Sequence, residues 1–250
     1  MRRRSLLATL LAGGRWARAQ FDGAHGAAVV LDMATGRAIS EHSPDLAQRF
    51  LAPPGSTLKP MVLAALVEAG KLRPSEQFKC TGNCTHAPIL APLTLRTALA
   101  YSCNNYVTHM AERFGQDELQ IALARYGLDM QRAADVRLLA LGEEGALVTP
   151  AMLASIYRRF ALRCGRAVLA PILAGMEDAV EYGTAQQAKL PNIKVAGKTG
   201  SVLSTDGAHI AWFAGFAPSH QPKFAIAVMV QGRSGGADAA PVAARIMRAL

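Results

Sequence analysis

The last third of the chain constrains the fold most. After a long stretch of helical periodicity, the repeat of apolar residues changes. Residues 193–203 and 209–216 read as strands, and "KFAIAVMVQ" (223–231) is a third. The links between them are only a few residues long. Parallel neighbours need a crossover of a dozen or more residues, so these strands must pair antiparallel. "SGG" (234–236) then breaks the chain before a closing helix over about 239–249, with Val242, Ile246 and Met247 at helical spacing.

The beginning of the chain complements this ending. "AAVVLDMATGRAIS" (27–40) reads as a hairpin turning at "ATG". Residues 41–55 carry little periodicity and end in "PPG". From Thr57 to Ala69, the apolar residues Leu58, Met61, Val62, Leu63 and Leu66 predict a buried helix that stops at Gly70. Residues 71–93 are irregular, with prolines at 74, 88 and 92. Helices are predicted at about 95–101, 105–114, 116–127, after the Thr149–Pro150 cap pair, and at 171–182. The reading is an α+β chain with one antiparallel sheet. The hairpin joins the C-terminal strands, the first and last helices cover the sheet, and an all-helical lobe stands beside it. The expected division is a sheet lobe of about 20–70 and 185–250 and a helical lobe of about 71–184. With 250 residues, 51% of them hydrophobic, the chain can bury a sizeable core.

The net charge of +9 does not point to nucleic acid. Residues 1–19 hold five arginines and no acids; without them 22 basic and 18 acidic residues remain, a net of +4. That same segment, "MRRRSLLATLLAGGRWARA", has a basic start, a short apolar run from Leu6 to Leu11, and small residues at Ala17 and Ala19. It reads as a secretory signal cleaved after Ala19, leaving a mature chain from Gln20. The apolar run is far short of the about 18 residues of a membrane span. Export places the protein in the periplasm or on the outer face of the cytoplasmic membrane. Four cysteines, Cys80, Cys84, Cys103 and Cys164, admit three full pairings. In an oxidising compartment Cys80 and Cys84 could close a small loop; otherwise the thiols stay free. "CTGNC" by itself lacks the ligands of a tetrahedral zinc site.

The chemistry lies in "PPGSTLKP" (53–60), where Lys59 follows Ser56 by one turn, so both side chains project the same way. A serine hydroxyl needs a base to act as a nucleophile. A lysine can serve if its pKa falls by roughly 2–3 units from about 10.4, through burial or a neighbouring cation. "GKTG" (197–200) offers that cation. Three motifs occur in order: "STLK" (56–59), "SCN" (102–104) and "KTG" (198–200). Together with "ALAYSCNNY", "GALVTPAMLASIY" and "VAGKTGSVLSTDGAHIAWFAGFAP", they resemble the transpeptidase domain of penicillin-binding proteins within the serine β-lactamase superfamily. The resemblance covers about residues 27–249.

The resemblance implies roles. Ser56 is the acylated nucleophile, Lys59 its base, Ser102 a proton relay, and Asn104 a holder of Lys59 and of a substrate amide. Lys198 and Thr199 meet a substrate carboxylate. Gly200 allows close approach of substrate, and the backbone N–H groups of Ser56 and Ser201 bind the oxyanion. Ser201 stands where most transpeptidases have threonine. The implied substrates are D-Ala-D-Ala peptidoglycan stem peptides. β-Lactams are the implied covalent inhibitors, cell-wall synthesis proteins are possible partners, and no cofactor or metal is implied. Glu143 and Glu144 in "LGEEGAL" read as a solvated turn, and no E-x-x-L-N segment follows the second motif. Transpeptidation is therefore the leading reading. D,D-carboxypeptidase, β-lactamase and a non-turnover penicillin sensor or scaffold stay open. Trp212, Phe213 and Cys103 are expected to be core residues; His86 and His209 are not needed as bases.

Overall fold

The computed structural model describes residues 21–82, 84 and 91–250. The signal-like segment and His86 lie outside these residues. Five strands form one antiparallel sheet: β1 (Gly26–Asp32), β2 (Ala38–His42), β3 (Ala196–Leu203), β4 (His209–Ala217) and β5 (Phe224–Gln231), in the order β2-β1-β5-β4-β3. The N-terminal hairpin thus joins the three C-terminal strands, as the short links require. Helices follow in chain order: α1 (Pro44–Arg49), α2 (Lys59–Glu68), α3 (Leu95–Ala100), α4 (Asn104–Ala111), α5 (Gln116–Ala124), α6 (Val136–Leu141), α7 (Pro150–Cys164), α8 (Ala170–Glu181) and α9 (Ala240–Arg248). None among the described residues is long and apolar enough to cross a membrane.

The two-residue period of the strands sorts their side chains into two cores. Ala27, Val29 and Leu31 of β1, with Trp212, Ala214 and Phe216 of β4 and Ala225, Ala227 and Met229 of β5, face a core shared with the helical lobe. Ala28, Val30, Ala211, Phe213, Ile226, Val228 and Val230 face the other side and meet Val242, Ala243, Ile246 and Met247 of α9. Trp212 and Phe213 are both fully buried, on opposite faces. The α+β class, with an antiparallel sheet flanked by helices, is thus as the sequence implied.

Two helices exchange the places expected of them. The α2 helix, expected on the sheet, lies among the helices α4, α5 and α8. It is buried from Lys59 to Val67 with no polar face, which a helix inside a core can tolerate. The α7 helix, expected in the helical lobe, lies across β1, β4 and β5. Its start is as read: the Thr149 hydroxyl accepts from Met152 N at 3.1 Å, with Pro150 in the first turn. Its apolar stripe, Leu153, Ile156, Tyr157 and Phe160, is the length of helix that can cover a sheet face. The short helices α1 and α6 lie in stretches without a readable period.

The buried Tyr157 of α7 ties the sheet side of the molecule to the serine turn. Its hydroxyl donates to Thr57 O at 2.7 Å. Tyr157→Phe should retain the fold by circular dichroism and cost about 1 kcal/mol in urea unfolding, since a buried carbonyl loses its donor. An unchanged urea midpoint would show that this bond contributes nothing.

Candidate active site

Local chain geometry sets up the serine. Gly55–Leu58 forms a 3₁₀ turn that runs directly into α2 at Lys59. Ser56 therefore lies in this tight turn, three residues before α2 begins, where the sequence placed the helix start. In 3₁₀ geometry side chains three apart eclipse one another, so Ser56 stands over Lys59. Ser56 is half-buried and lines an open cleft of about 350 Å³, together with Ser102, Asn104, Thr199, Gly200 and Ser201. The three motifs, spread over nearly 150 positions, thus meet at one cleft.

Lys59 is fully buried beneath that cleft. Its ammonium donates to Ser102 O at 2.7 Å, to Ser102 Oγ at 3.2 Å and to Asn104 Oδ1. Three acceptors match the three N–H bonds of a lysine ammonium. Burial pulls its pKa down to about 8, while negative charge at Cys103, Cys84 and Glu143 would act the other way. Ser102 reaches this position in the left-handed region (φ 57), which a residue other than glycine adopts only when its surroundings hold it there. Asn104 is the first residue of α4, so the start of that helix aims its amide at Lys59.

Lys198 is also fully buried, on β3, with Nζ donating to Thr199 O at 3.1 Å. Burial, and then the charge of Lys59, push its pKa well below the ordinary lysine value. The sequence reading made Lys198 the cation that lowers Lys59. Burial, which the sequence reading also invoked, is the leading cause at Lys59. Two ammonium ions this deep repel each other, so the pair resists carrying both charges. Lys198 is not among the residues that line the cleft. Thr199 is, and its hydroxyl donates to Thr184 Oγ1 at 2.9 Å.

Glycines let the backbone segments close in. A Cβ on Gly200 would lie 3.0 Å from Pro54 O and 3.1 Å from Thr57 Cγ2. Its missing side chain therefore makes room for the serine turn. Gly142 (φ 68) presses on the same turn from the other side, where a Cβ would meet Gly55 O at 2.5 Å. Gly55 N in turn donates to Gly142 O at 2.9 Å. Trp212 Nε1 donates to Pro53 O at 3.0 Å. Ser201 uses its hydroxyl to accept from Gly235 N at 3.0 Å, which docks the Gly235–Ala239 turn beside the cleft.

Linear reading missed several residues here. Thr184, Ser234 and Gly236 line the cleft but belong to no motif; only the fold brings them there. Glu143 is solvent-exposed, as a turn residue should be, yet it too lines the cleft. His209 is exposed at the start of β4 and is not a cleft residue. None of the four cysteines is in a disulfide. Cys103 is buried, as expected of a core residue, but it also packs against Cys84.

Fold and site together define a penicillin-binding transpeptidase-type domain. Residues 26–163 and 138–248 match the penicillin binding protein transpeptidase domain, and the chain belongs to that family. It is 25% identical to the peptidoglycan D,D-transpeptidase PbpA of Mycobacterium tuberculosis over 86% of this chain and 56% of that protein. It is 29% identical to penicillin-binding protein 1A of Neisseria meningitidis over 82% of this chain and 32% of that protein. The chain thus spans about half or less of the length of these curated relatives. Among solved structures, its fold is similar to PBP2 of Pseudomonas aeruginosa, with TM-score 0.81, 23% identity and coverage of 94% of this chain and 76% of that one. It is also similar to the transpeptidase domain of the FtsI4 D,D-transpeptidase from Legionella pneumophila, with TM-score 0.74, 24% identity and coverage of 96% and 95%.

The contact at Gly142 can be tested. Gly142→Ala adds strain at a positive φ and a Cβ against backbone that cannot swing away. It should lower the melting temperature by about 2–4 °C per kcal/mol lost, as read by calorimetry. It should also slow covalent labelling of the protein by a fluorescent penicillin. A variant matching the parent in both readouts would mean that the turn does not need this close approach.

Proposed function

We propose that the chain is a serine-type D,D-transpeptidase that acts on D-Ala-D-Ala stem peptides of peptidoglycan through a Ser56 acyl-enzyme. One observation carries this reading: a fully buried Lys59, its pKa brought down to about 8, held by Ser102 and Asn104, which line the same cleft as Ser56. In the proposed step, neutral Lys59 takes the Ser56 hydroxyl proton as Oγ attacks the penultimate D-alanine carbonyl. The oxyanion accepts hydrogen bonds from the backbone N–H groups of Ser56 and Ser201; removing one donor of this kind costs about 2.7–4 kcal/mol in other enzymes. The C–N bond then breaks, and Ser102 passes a proton to the departing D-alanine amine. An acceptor amine attacks the ester and restores Ser56.

The two lysines explain how the base is released. A substrate carboxylate beside Thr199 would favour the charged form of Lys198, and that charge would make the proton on Lys59 harder to keep. Substrate binding thereby prepares its own base. Below pH 8 the neutral fraction of Lys59 falls about tenfold per pH unit. The second-order acylation rate should therefore rise between pH 6 and 8 and level off above about 8. Stopped-flow labelling with a fluorescent penicillin measures this. Lys59→Ala should fold, lose the rise and acylate at least about 100-fold more slowly, the low end of what positioned acid–base groups contribute. A parental pH profile in Lys59→Ala would remove the lysine from the mechanism.

Glu143 supports a second reading. Its carboxylate lines the same cleft, so it could activate water and turn the acyl-enzyme toward hydrolysis, as in a carboxypeptidase or β-lactamase. Mass spectrometry separates the possibilities. A cross-linked product from a stem-peptide donor and an amine supports transfer, and free D-alanine alone supports carboxypeptidase action. A penicilloyl adduct on Ser56 lasting hours supports the transpeptidase reading; an adduct that clears quickly in the parent but persists in Glu143→Gln supports hydrolysis. Acylation with neither product would describe a sensor. The proposal also includes export, with Gln20 as the mature N-terminus; N-terminal sequencing of secreted protein that finds Met1 would overturn it.

A further inference from the structure

Three of the four cysteines, remote from one another in chemical role as the sequence is read, converge beside the cleft. Cys80 and Cys84 Sγ lie 3.5 Å apart, Cys84 and Cys103 Sγ lie 3.6 Å apart, and all three sulfurs are within 4.8 Å of one another. Cys164, buried on α7, is not one of the group. Two thiols of "CTGNC" are thus completed by a third from "SCN", which is 19 residues beyond Cys84.

The surroundings hold these sulfurs in place. Thr81 donates to Asn105 Oδ1 through both its backbone N–H, at 3.1 Å, and its hydroxyl, at 2.6 Å, which fastens the Cys80 segment to the first turn of α4. Tyr106 N donates to Cys103 Sγ at 3.4 Å. The backbone of Asn105 and of Asn104 hydrogen-bonds the Cys84 sulfur. Backbone N–H groups at the helix start face the Cys84 and Cys103 sulfurs, while Cys80 Sγ donates to Asn105 Oδ1 at 3.6 Å; the sulfurs are thiols whose protons a bound cation would displace. A zinc–sulfur bond of about 2.3 Å puts the sulfurs of a tetrahedral site about 3.8 Å apart. The two close pairs here are within a few tenths of an ångström of that. Cys80 and Cys84 are half-exposed, which leaves a route for the ion and room for water.

We propose that Cys80, Cys84 and Cys103 form a three-thiolate site for Zn²⁺, with water at the fourth position. Binding exchanges three S–H protons for three Zn–S bonds, with no change in oxidation state. The ion would clip the Cys80–Cys84 segment to Cys103. Cys103 stands between Ser102 and Asn104, the residues that hold Lys59, so the clip is built into the wall of the cleft.

Cobalt(II), a coloured stand-in for Zn²⁺, tests this on the full chain with its thiols reduced. One Co²⁺ should bind per chain, with strong sulfur-to-metal absorption in the near ultraviolet and the visible bands of a tetrahedral ion. Zn²⁺ should displace it and raise the melting temperature by several degrees. Cys84→Ser and Cys80→Ser should each lose the thiolate band and the thermal shift, whereas Cys164→Ser keeps both. Circular dichroism checks that the variants fold. Absence of a thiolate band, its survival in a folded Cys84→Ser, or its loss in Cys164→Ser would overturn the site. So would a Cys80–Cys84 disulfide in protein isolated from cells, seen as two thiols that resist alkylation until reduction.

Discussion

Everything in this cleft depends on keeping a lysine amine out of water. Burying an ammonium ion is costly unless its N–H bonds find acceptors. Lys59 finds three, from Ser102 and Asn104, and they come from a part of the chain more than 40 residues away. The position of α4, the left-handed turn at Ser102 and the close fit of α2 among other helices all serve that one requirement. Burial, even with those N–H bonds met, is also what lowers its affinity for a proton. The same packing thus holds the site together and lowers the proton affinity that the proposed mechanism uses.

A second lysine at the same depth turns a static arrangement into a responsive one. Lys198 donates its Nζ to the Thr199 carbonyl, and it feels the charge of Lys59. A pair that resists holding two charges is sensitive to any anion that arrives nearby. Thr199, the next residue on β3, lines the cleft and is where the proposed mechanism brings that anion in. Under the proposed mechanism, the substrate's own charge helps to set the protonation of the base.

The cleft is assembled by backbone approaches that no side chain could enter. β3 meets the serine turn at Gly200, the 142–143 turn meets it at Gly55, and the 235–239 turn meets β3 through Ser201. These contacts bring Glu143, Thr184 and Ser234 to the rim. Rim residues decide what attacks an acyl-enzyme, water or an amine, and they are the part of the site most remote from its motifs. The sulfur cluster is built by the same economy of position: one residue, Cys103, faces its fellow thiols while its neighbours on each side face Lys59.

How much was legible in the chain follows from the range of each interaction. The sheet's antiparallel order at its C-terminal end, the Thr149 cap of α7 and the three motifs depend on residues close in sequence, so period, turn chemistry and spacing carried them. The Ser56–Lys59 pair was visible for the same reason. The interchange of α2 and α7 was not, because both have apolar residues enough for either place and only the full set of packing partners decides between them. The acceptors that hold Lys59, the packing of Gly200 on the serine turn and the third thiol were likewise hidden, since each depends on atoms tens of residues away. By itself the sequence determined the class of fold and the groups able to do the chemistry. Burial, close backbone approach and the company each charge keeps were decided by tertiary structure, because desolvation and Coulomb interactions act through space and not along the chain.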